Sequence, residues 1–366
     1  MLTSFFSKSK PINFIAVILF MAVFFIIANF HEVFSSFSFA LLAEKIGVLL
    51  AFLLSVVILD FIAKKNDLTL RSAYKIIIFA VFSVSFWDIL KDNQIIVANI
   101  CVLFALRRII SLKTQKETSK KIFDATFWVC IASLFYFWAF LFLIIVYIGI
   151  LLQAANYFKN WLIPIIAFFA VFSLVTGFHL IFNDQFYTFS AWFQESSFKF
   201  EHYRNLKLLI PLSIILALAL WTLFYYIKLF KKANINSRPT YFLVFLTLIV
   251  SVGVSIFSPV KNGSELLFFF VPLSIIISNY FESKEERVFK EILLIGLVLM
   301  PILIPIFFWR RIMSFYIQKV SYLKTSHEFT NVLFFFHHSL VFQLFLVLFP
   351  GSCFLWFMLK TVNIGN

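Results

Sequence analysis

The chain has 366 residues, of which 62% are hydrophobic and 13% charged, and its mean hydropathy is +0.99. Soluble domains carry about a quarter charged residues, so these proportions exclude a soluble enzyme and identify an integral membrane protein. The net charge of +14 lies mostly in short breaks between apolar runs, where it sets topology and meets anionic headgroups; a nucleic-acid binder would need a solvated basic face, and none is expected.

The N-terminus, MLTSFFSKSKPINFIAVILF, begins like a signal peptide, with Lys8 and Lys10 ahead of an apolar run. That run is long and lacks a clear small-residue cleavage site, so it is expected to remain as a first span. Apolar segments follow near 13–30, 46–63, 74–90, 94–111, 124–138, 139–157, 161–182, 207–228, 239–257, 265–281, 291–308 and 340–359. The predicted fold is an all-α polytopic transmembrane helix bundle of about twelve spans, within about ten to thirteen, forming a single membrane domain over 1–366.

Lysines and arginines test that order. Lys8 and Lys10, then Lys64, Lys65 and Arg71, then RRIISLKTQKETSKK at 107–121, all fall on one side. Lys159, the 228–238 cluster, ESKEERVFK at 282–290 and Lys360 join them if 124–157 is a hairpin. The positive-inside rule then puts both termini in the cytoplasm of a bacterial inner-membrane protein. Two outer segments break the pattern. Residues 184–206 mix charged and aromatic residues, with Phe186, Phe189, Trp192 and Phe193 at helical spacing, and are expected to form an interfacial amphipathic helix. Residues 309–338 form a basic outer loop carrying Arg310, Arg311, Lys319 and Lys324.

The 55 phenylalanines fill lipid-facing and interhelical space and specify no cofactor. Cys101, Cys130 and Cys353 lie far apart in apolar segments, which predicts neither disulfides nor metal ligation. Gly-rich phosphate loops, GxSxG and HExxH are absent. His337 and His338 are adjacent, point about 100° apart on a helix, and do not make a metal pair. No metal and no cofactor are expected.

Polar residues gather instead at the outer ends of spans. Glu32 follows span one in ANFHEVFSS, as a candidate general base or a marker of the membrane surface. Asp88 and Asp92 in SFWDILKDNQ are four apart, on one face if the turn is helical, as catalytic carboxylates or a solvated end. Lys261, Asn262 and Glu265 stand in SPVKNGSELLFFFVPL between two apolar runs. At i, i+4 spacing Lys261 and Glu265 either neutralise each other or face a cavity, holding an anion and accepting a proton or a sugar hydroxyl. Arg310 and Arg311 are candidates to clamp a phosphate or to anchor the chain to headgroups.

SFFSKSKPINF, ALRRIISL, KKIFDATFWVCIASLFYFWA and KNGSELLFFFVPLSIIISNYFE resemble a group of uncharacterised, Phe-rich bacterial polytopic membrane proteins. More distantly, the acid beyond span one, the short third and fourth spans, FDATFW and the late basic loop resemble C-class membrane glycosyltransferases, which use polyprenyl-phosphate sugars. That likeness implies Glu32 as the acceptor base, Asp88 and Asp92 shaping the acceptor side, and Arg310 and Arg311 meeting the donor phosphate. The chain departs from that group in having no Asp-Glu or Asp-x-Asp pair in its first loop. The expected function is an envelope glycosyltransferase or glycan polymerase working at the outer face, with membrane lipids and a polyprenyl-phosphate sugar as partners. The alternatives are a transporter or lipid flippase, and a non-catalytic scaffold subunit; whether the chain is an enzyme stays open at this level.

Overall fold

A computed structural model describes residues 2–35, 38–283 and 286–322, with side chains except at 189 and from 306 onward. Among the described residues all regular structure is helical. The order begins α1 (Leu2–Phe6), α2 (Pro11–Ser35), α3 (Phe39–Lys65), α4 (Tyr74–Ser85), α5 (Trp87–Lys91), α6 (Asn93–Ile110) and α7 (Thr118–Phe135). It continues with α8 (Leu143–Gln153), α9 (Lys159–Asn183), α10 (Phe189–Trp192), α11 (Leu206–Lys232), α12 (Arg238–Phe257), α13 (Leu267–Phe281) and α14 (Arg287–Tyr322). Eight helical stretches among the described residues are long and apolar enough to cross a membrane, with Tyr74–Ser85 and Phe137–Gln153 as shorter apolar elements. The expected last span at 340–359 and residues 323–338 of the expected basic loop lie outside the described residues, while 309–322 continue α14 as helix instead of forming a loop.

Local chemistry sets the boundaries. Ser38 caps α3 by accepting from Leu41 N–H, Asp92 caps α6 by accepting from Ile95 N–H, and Asn205 caps α11 by accepting from Lys207 N–H. Phe86, extended at φ −109°, ends α4, so the span expected over 74–90 stops at Ser85 and α5 forms a separate turn beyond it. Tyr136, at φ −143° and ψ 101°, breaks the 124–157 segment. A 3-10 stretch, Phe137–Phe142, then leads into α8, and Gln115 Nε2 donates to Gln153 O. The connection before α7 therefore meets the end of α8, and the chain doubles back at the Tyr136 break. Close approach of α8 to α6 requires Gly149, where a Cβ would lie 2.6 Å from Ile109 Cγ2.

Burial orders the bundle. The Ser264–Phe281 stretch is wholly buried, while the apolar window of Lys159–Asn183 is 11% buried and presents Ile165, Ile166, Phe169 and Phe178 outward. A helix apolar on all sides and sunk in the protein is a bundle core; one with an exposed apolar surface faces lipid. α13 packs against α4, α11 and α12, and so holds the 258–265 turn at one end of the core.

The connections sort into two ends. At the basic end, Ser9 N–H donates to Arg71 O, Lys113 Nζ to Ser237 Oγ, and Tyr241 Oη to Asp67 O. Here Lys75, fully buried, reaches Asp60 at 3.1 Å and the Ser72 carbonyl at 2.8 Å, and Asp60 also holds Lys64 at 2.7 Å. Glu282 accepts from Leu70 N–H and from Ser72 Oγ, so this network fastens the 66–73 connection to the end of α13. At the opposite end lie the connections after α2, between α5 and α6, between α9 and α11, and after α12.

Candidate functional site

The site at that opposite end starts from the turn after α12. Lys261 folds back so that Nζ donates to Ser255 O at 3.0 Å and Ile256 O at 2.5 Å, satisfying carbonyls that the helix end leaves open. The Phe200 ring lies 4.6 Å from the same ammonium. Burial lowers the Lys261 pKa, against the opposing pull of Glu265. Asn262 Oδ1 accepts from Ser264 N–H at 3.0 Å and closes the turn, with Gly263 at φ +95°. Only glycine suits that position, since a Cβ would sit 2.9 Å from Phe86 Cδ1.

Glu265 is wholly buried; it accepts from Tyr203 Oη at 2.5 Å and from Gly263 N–H at 3.0 Å. Among the described residues Lys261 and Glu265 form no ion pair with each other, so mutual neutralisation at i, i+4 does not describe their contacts. The lysine caps a helix and the glutamate holds a tyrosine. Burial, then Glu265, raises the Tyr203 pKa well above its ordinary value and keeps its hydroxyl a donor.

The structure joins most of the sequence-predicted residues. Ser264 Oγ, with one proton to give, lies 2.7 Å from Asn262 Oδ1 and 3.1 Å from Asp92 Oδ2. Next to Asp92, Asn93 donates to Glu44 at 2.5 Å and accepts from Lys45 at 3.1 Å. Lys45, buried, pairs with the half-exposed Glu32 at 3.0 Å. Polar contacts thus run from Glu32 through Lys45 and Asn93 to the α6 cap, and on through Ser264 to the turn.

Asp88 differs from these. It sits half-buried on α5, beyond the end of α4, and among the described residues no group donates a hydrogen bond to its carboxylate. Burial raises its pKa, while Lys91, His202 and Lys207 favour the charged form and Asp92 opposes it. A carboxylate that is partly desolvated and not committed to a structural bond is of the kind that acid–base chemistry uses.

The 184–206 segment is not one helix. It makes two short turns, Phe189–Trp192 and Glu201–Arg204, joined by irregular chain. Trp192 turns inward rather than lying on a lipid surface: it is 8% exposed, and Nε1 donates to Ser133 O at 3.0 Å. Gln194 accepts from Phe137 N–H, and Ser197 N–H approaches Ser258 O, so the segment runs as a strap from the α7–α8 break to the turn. Arg310 and Arg311 lie on α14 where side chains are outside the described residues. No group of three or more metal-ligating side chains occurs among the described residues.

Sequence reasoning missed Tyr203 and Lys45. Lys45 alone carried a signal, as a cation one turn and a half inside an apolar helix, where burial requires a partner. A sequence profile described as a family of unknown function, DUF6427, matches residues 1–316. No curated protein and no solved structure matches the chain.

Proposed function

The chain belongs to the family of unknown function DUF6427, and we propose that it is a membrane glycosyltransferase acting on a phosphate-linked lipid sugar at the end opposite its basic loops. The observation that supports this reading is Asp88, half-buried, without a hydrogen-bond donor among the described residues, and facing Lys91, His202 and Lys207. By the positive-inside rule the basic end is cytoplasmic, which makes the site an outer-face site of a bacterial inner membrane.

In this mechanism Asp88 accepts the proton of an acceptor hydroxyl as its oxygen attacks the anomeric carbon. The carbon–oxygen bond to the lipid phosphate breaks, and the phosphate leaves with its negative charge held by Lys91, His202 and Lys207. Arg310 and Arg311 keep the donor-phosphate role that the glycosyltransferase resemblance implies. Glu32 takes a different part from the expected base: its ion pair with Lys45 at 3.0 Å makes it a fixed charge that orients Asn93 and the α6 cap.

The test compares lipid-linked sugars in a deletion strain complemented with wild type, Asp88→Asn or Glu32→Gln. Asp88→Asn is expected to leave a polyprenyl-phosphate sugar accumulated at normal membrane levels of protein, with Glu32→Gln restoring most of the flux. Full restoration by Asp88→Asn, or an unchanged lipid and glycan profile on deletion, overturns the reading.

A further inference from the structure

α3 presents one continuous line of exposed apolar residues, Ile46, Leu50, Leu54, Val57 and Phe61, at the three- and four-residue spacing of a single helix face. Such a line along a spanning helix meets acyl chains. Lys65 follows Phe61 at the same spacing and belongs to the last turn of α3, so the face passes from hydrocarbon to charge within about one helical turn. Phe61 therefore stands at the depth where acyl chains give way to headgroups, at the basic end of the bundle.

A second cation comes to the same ring from a neighbouring helix. The Lys65 ammonium lies 5.2 Å from the centre of the Phe61 ring, and the Arg107 guanidinium carbon, in the last turn of α6, lies 4.8 Å from it. Both cations are exposed, and among the described residues neither makes an ion pair or a side-chain hydrogen bond. Their neighbours differ: Lys64 holds Asp60 at 2.7 Å, and Arg108 holds Asp124 at 2.9 Å. Lys121, beside the end of α6, donates to Ser111 O at 2.8 Å and Thr114 Oγ1 at 2.6 Å. Each helix C-terminus attracts a cation, but that does not require two cations to share one ring, where they repel each other. An exposed ring attracts each only modestly. An anion between them would replace the repulsion with two attractions.

Depth and the shape of Arg107 select the anion. A guanidinium gives parallel N–H bonds to a phosphate, and an anion bound at the end of an apolar helix face gains most if it carries acyl chains. We propose that Lys65 and Arg107 hold the phosphate of an anionic phospholipid at Phe61, with an acyl chain lying along the Leu50–Phe61 face of α3. This site lies at the end of the bundle opposite Asp88 and stands independently of the glycosyltransferase reading.

The full chain is reconstituted in nanodiscs of equal phosphatidylcholine and phosphatidylglycerol, and the lipid that stays bound on release from the disc is counted by native mass spectrometry. Wild type is expected to retain phosphatidylglycerol about tenfold over phosphatidylcholine, the size of two screened interfacial cations. Lys65→Gln/Arg107→Gln should lose most of that ratio at an unchanged melting temperature, and each single variant about threefold. Lys228→Gln/Lys231→Gln, which removes the same charge from the end of α11, should keep it. No enrichment in wild type overturns the site. Equal losses in the two double variants mean that the whole basic surface attracts lipid, and do the same. Displacement of the lipid by excess inorganic phosphate, but not by chloride of equal ionic strength, means that the two cations hold a soluble anion and also overturns the proposal.

Discussion

Removing either member of the Asp60–Lys75 pair breaks the same contact, yet the two substitutions are expected to differ. The Lys75 side chain is 0% exposed, and among the described residues its ammonium bonds, beyond Asp60, only the Ser72 carbonyl at 2.8 Å. Asp60→Leu therefore strands a fully buried charge, for which breaking a buried pair costs about 3–5 kcal/mol. Lys75→Met strands much less: Asp60 still meets Lys64 at 2.7 Å, and that lysine is 31% exposed and partly hydrated. Its cost should be about 1–3 kcal/mol, the range for one lost partner of a buried polar group. The double variant Asp60→Leu/Lys75→Met buries no uncompensated ammonium and should lie within about 1–2 kcal/mol of wild type, because apolar replacement of a whole buried pair is often neutral. Reversible denaturation in mixed micelles, by titrating a denaturing detergent, measures all three. The reasoning fails if Lys75→Met costs as much as Asp60→Leu, or if the double variant loses the sum of the two.

Tyr203→Phe removes the 2.5 Å bond to the buried Glu265; a loss of about 1.5–3 kcal/mol and faster proteolysis between 184 and 205 are expected, and cleavage at the wild-type rate would count against the strap. Gly263→Ala forces a side chain into the left-handed region and against Phe86 at 2.9 Å, so a lower melting temperature and a cost of about 1–3 kcal/mol follow. The pH dependence of Asp88 has a definite sign. Burial raises its native pKa above 3.8, so the folded chain holds this proton more tightly than the unfolded chain. Its contribution to stability is greatest below the ordinary carboxylate pKa and declines as pH rises through the raised native value. Melting curves across that window should fall less steeply with pH in Asp88→Asn than in wild type, and parallel curves would refute the shift.

The parts legible in the sequence were those that depend on one segment at a time. Hydropathy placed the helices, and charge placed the polar ends, because solvent acts on each residue whatever its neighbours. The break at Tyr136 and the end of α4 at Ser85 were blurred, since Phe86 and Tyr136 are as apolar as the spans they interrupt. The amphipathic reading of 184–206 failed for a related reason: aromatic spacing records which residues avoid water, and Trp192 avoids it by entering the bundle instead of lying on lipid. Pairings across helices left no trace in spacing. Lys45 reaches Glu32 and Asn93 from a different helix, and Tyr203 reaches Glu265 across 62 residues.

That gap explains how the candidate site changed meaning. In the sequence every outer charge had equal standing, because each was a polar residue beside an apolar run. Contacts separate them: Lys261 caps α12, Glu265 holds Tyr203, Glu32 pairs with Lys45, and Asp92 caps α6. Each of these is accounted for by the energy of keeping a polar group satisfied near a membrane. Of the four sequence-predicted carboxylates, Asp88 is the one to which no group among the described residues donates a hydrogen bond or an ion pair. A carboxylate that the fold half-buries without committing it to a structural bond places the opportunity for chemistry at Asp88, and Asp88→Asn removes its charge with little change of shape.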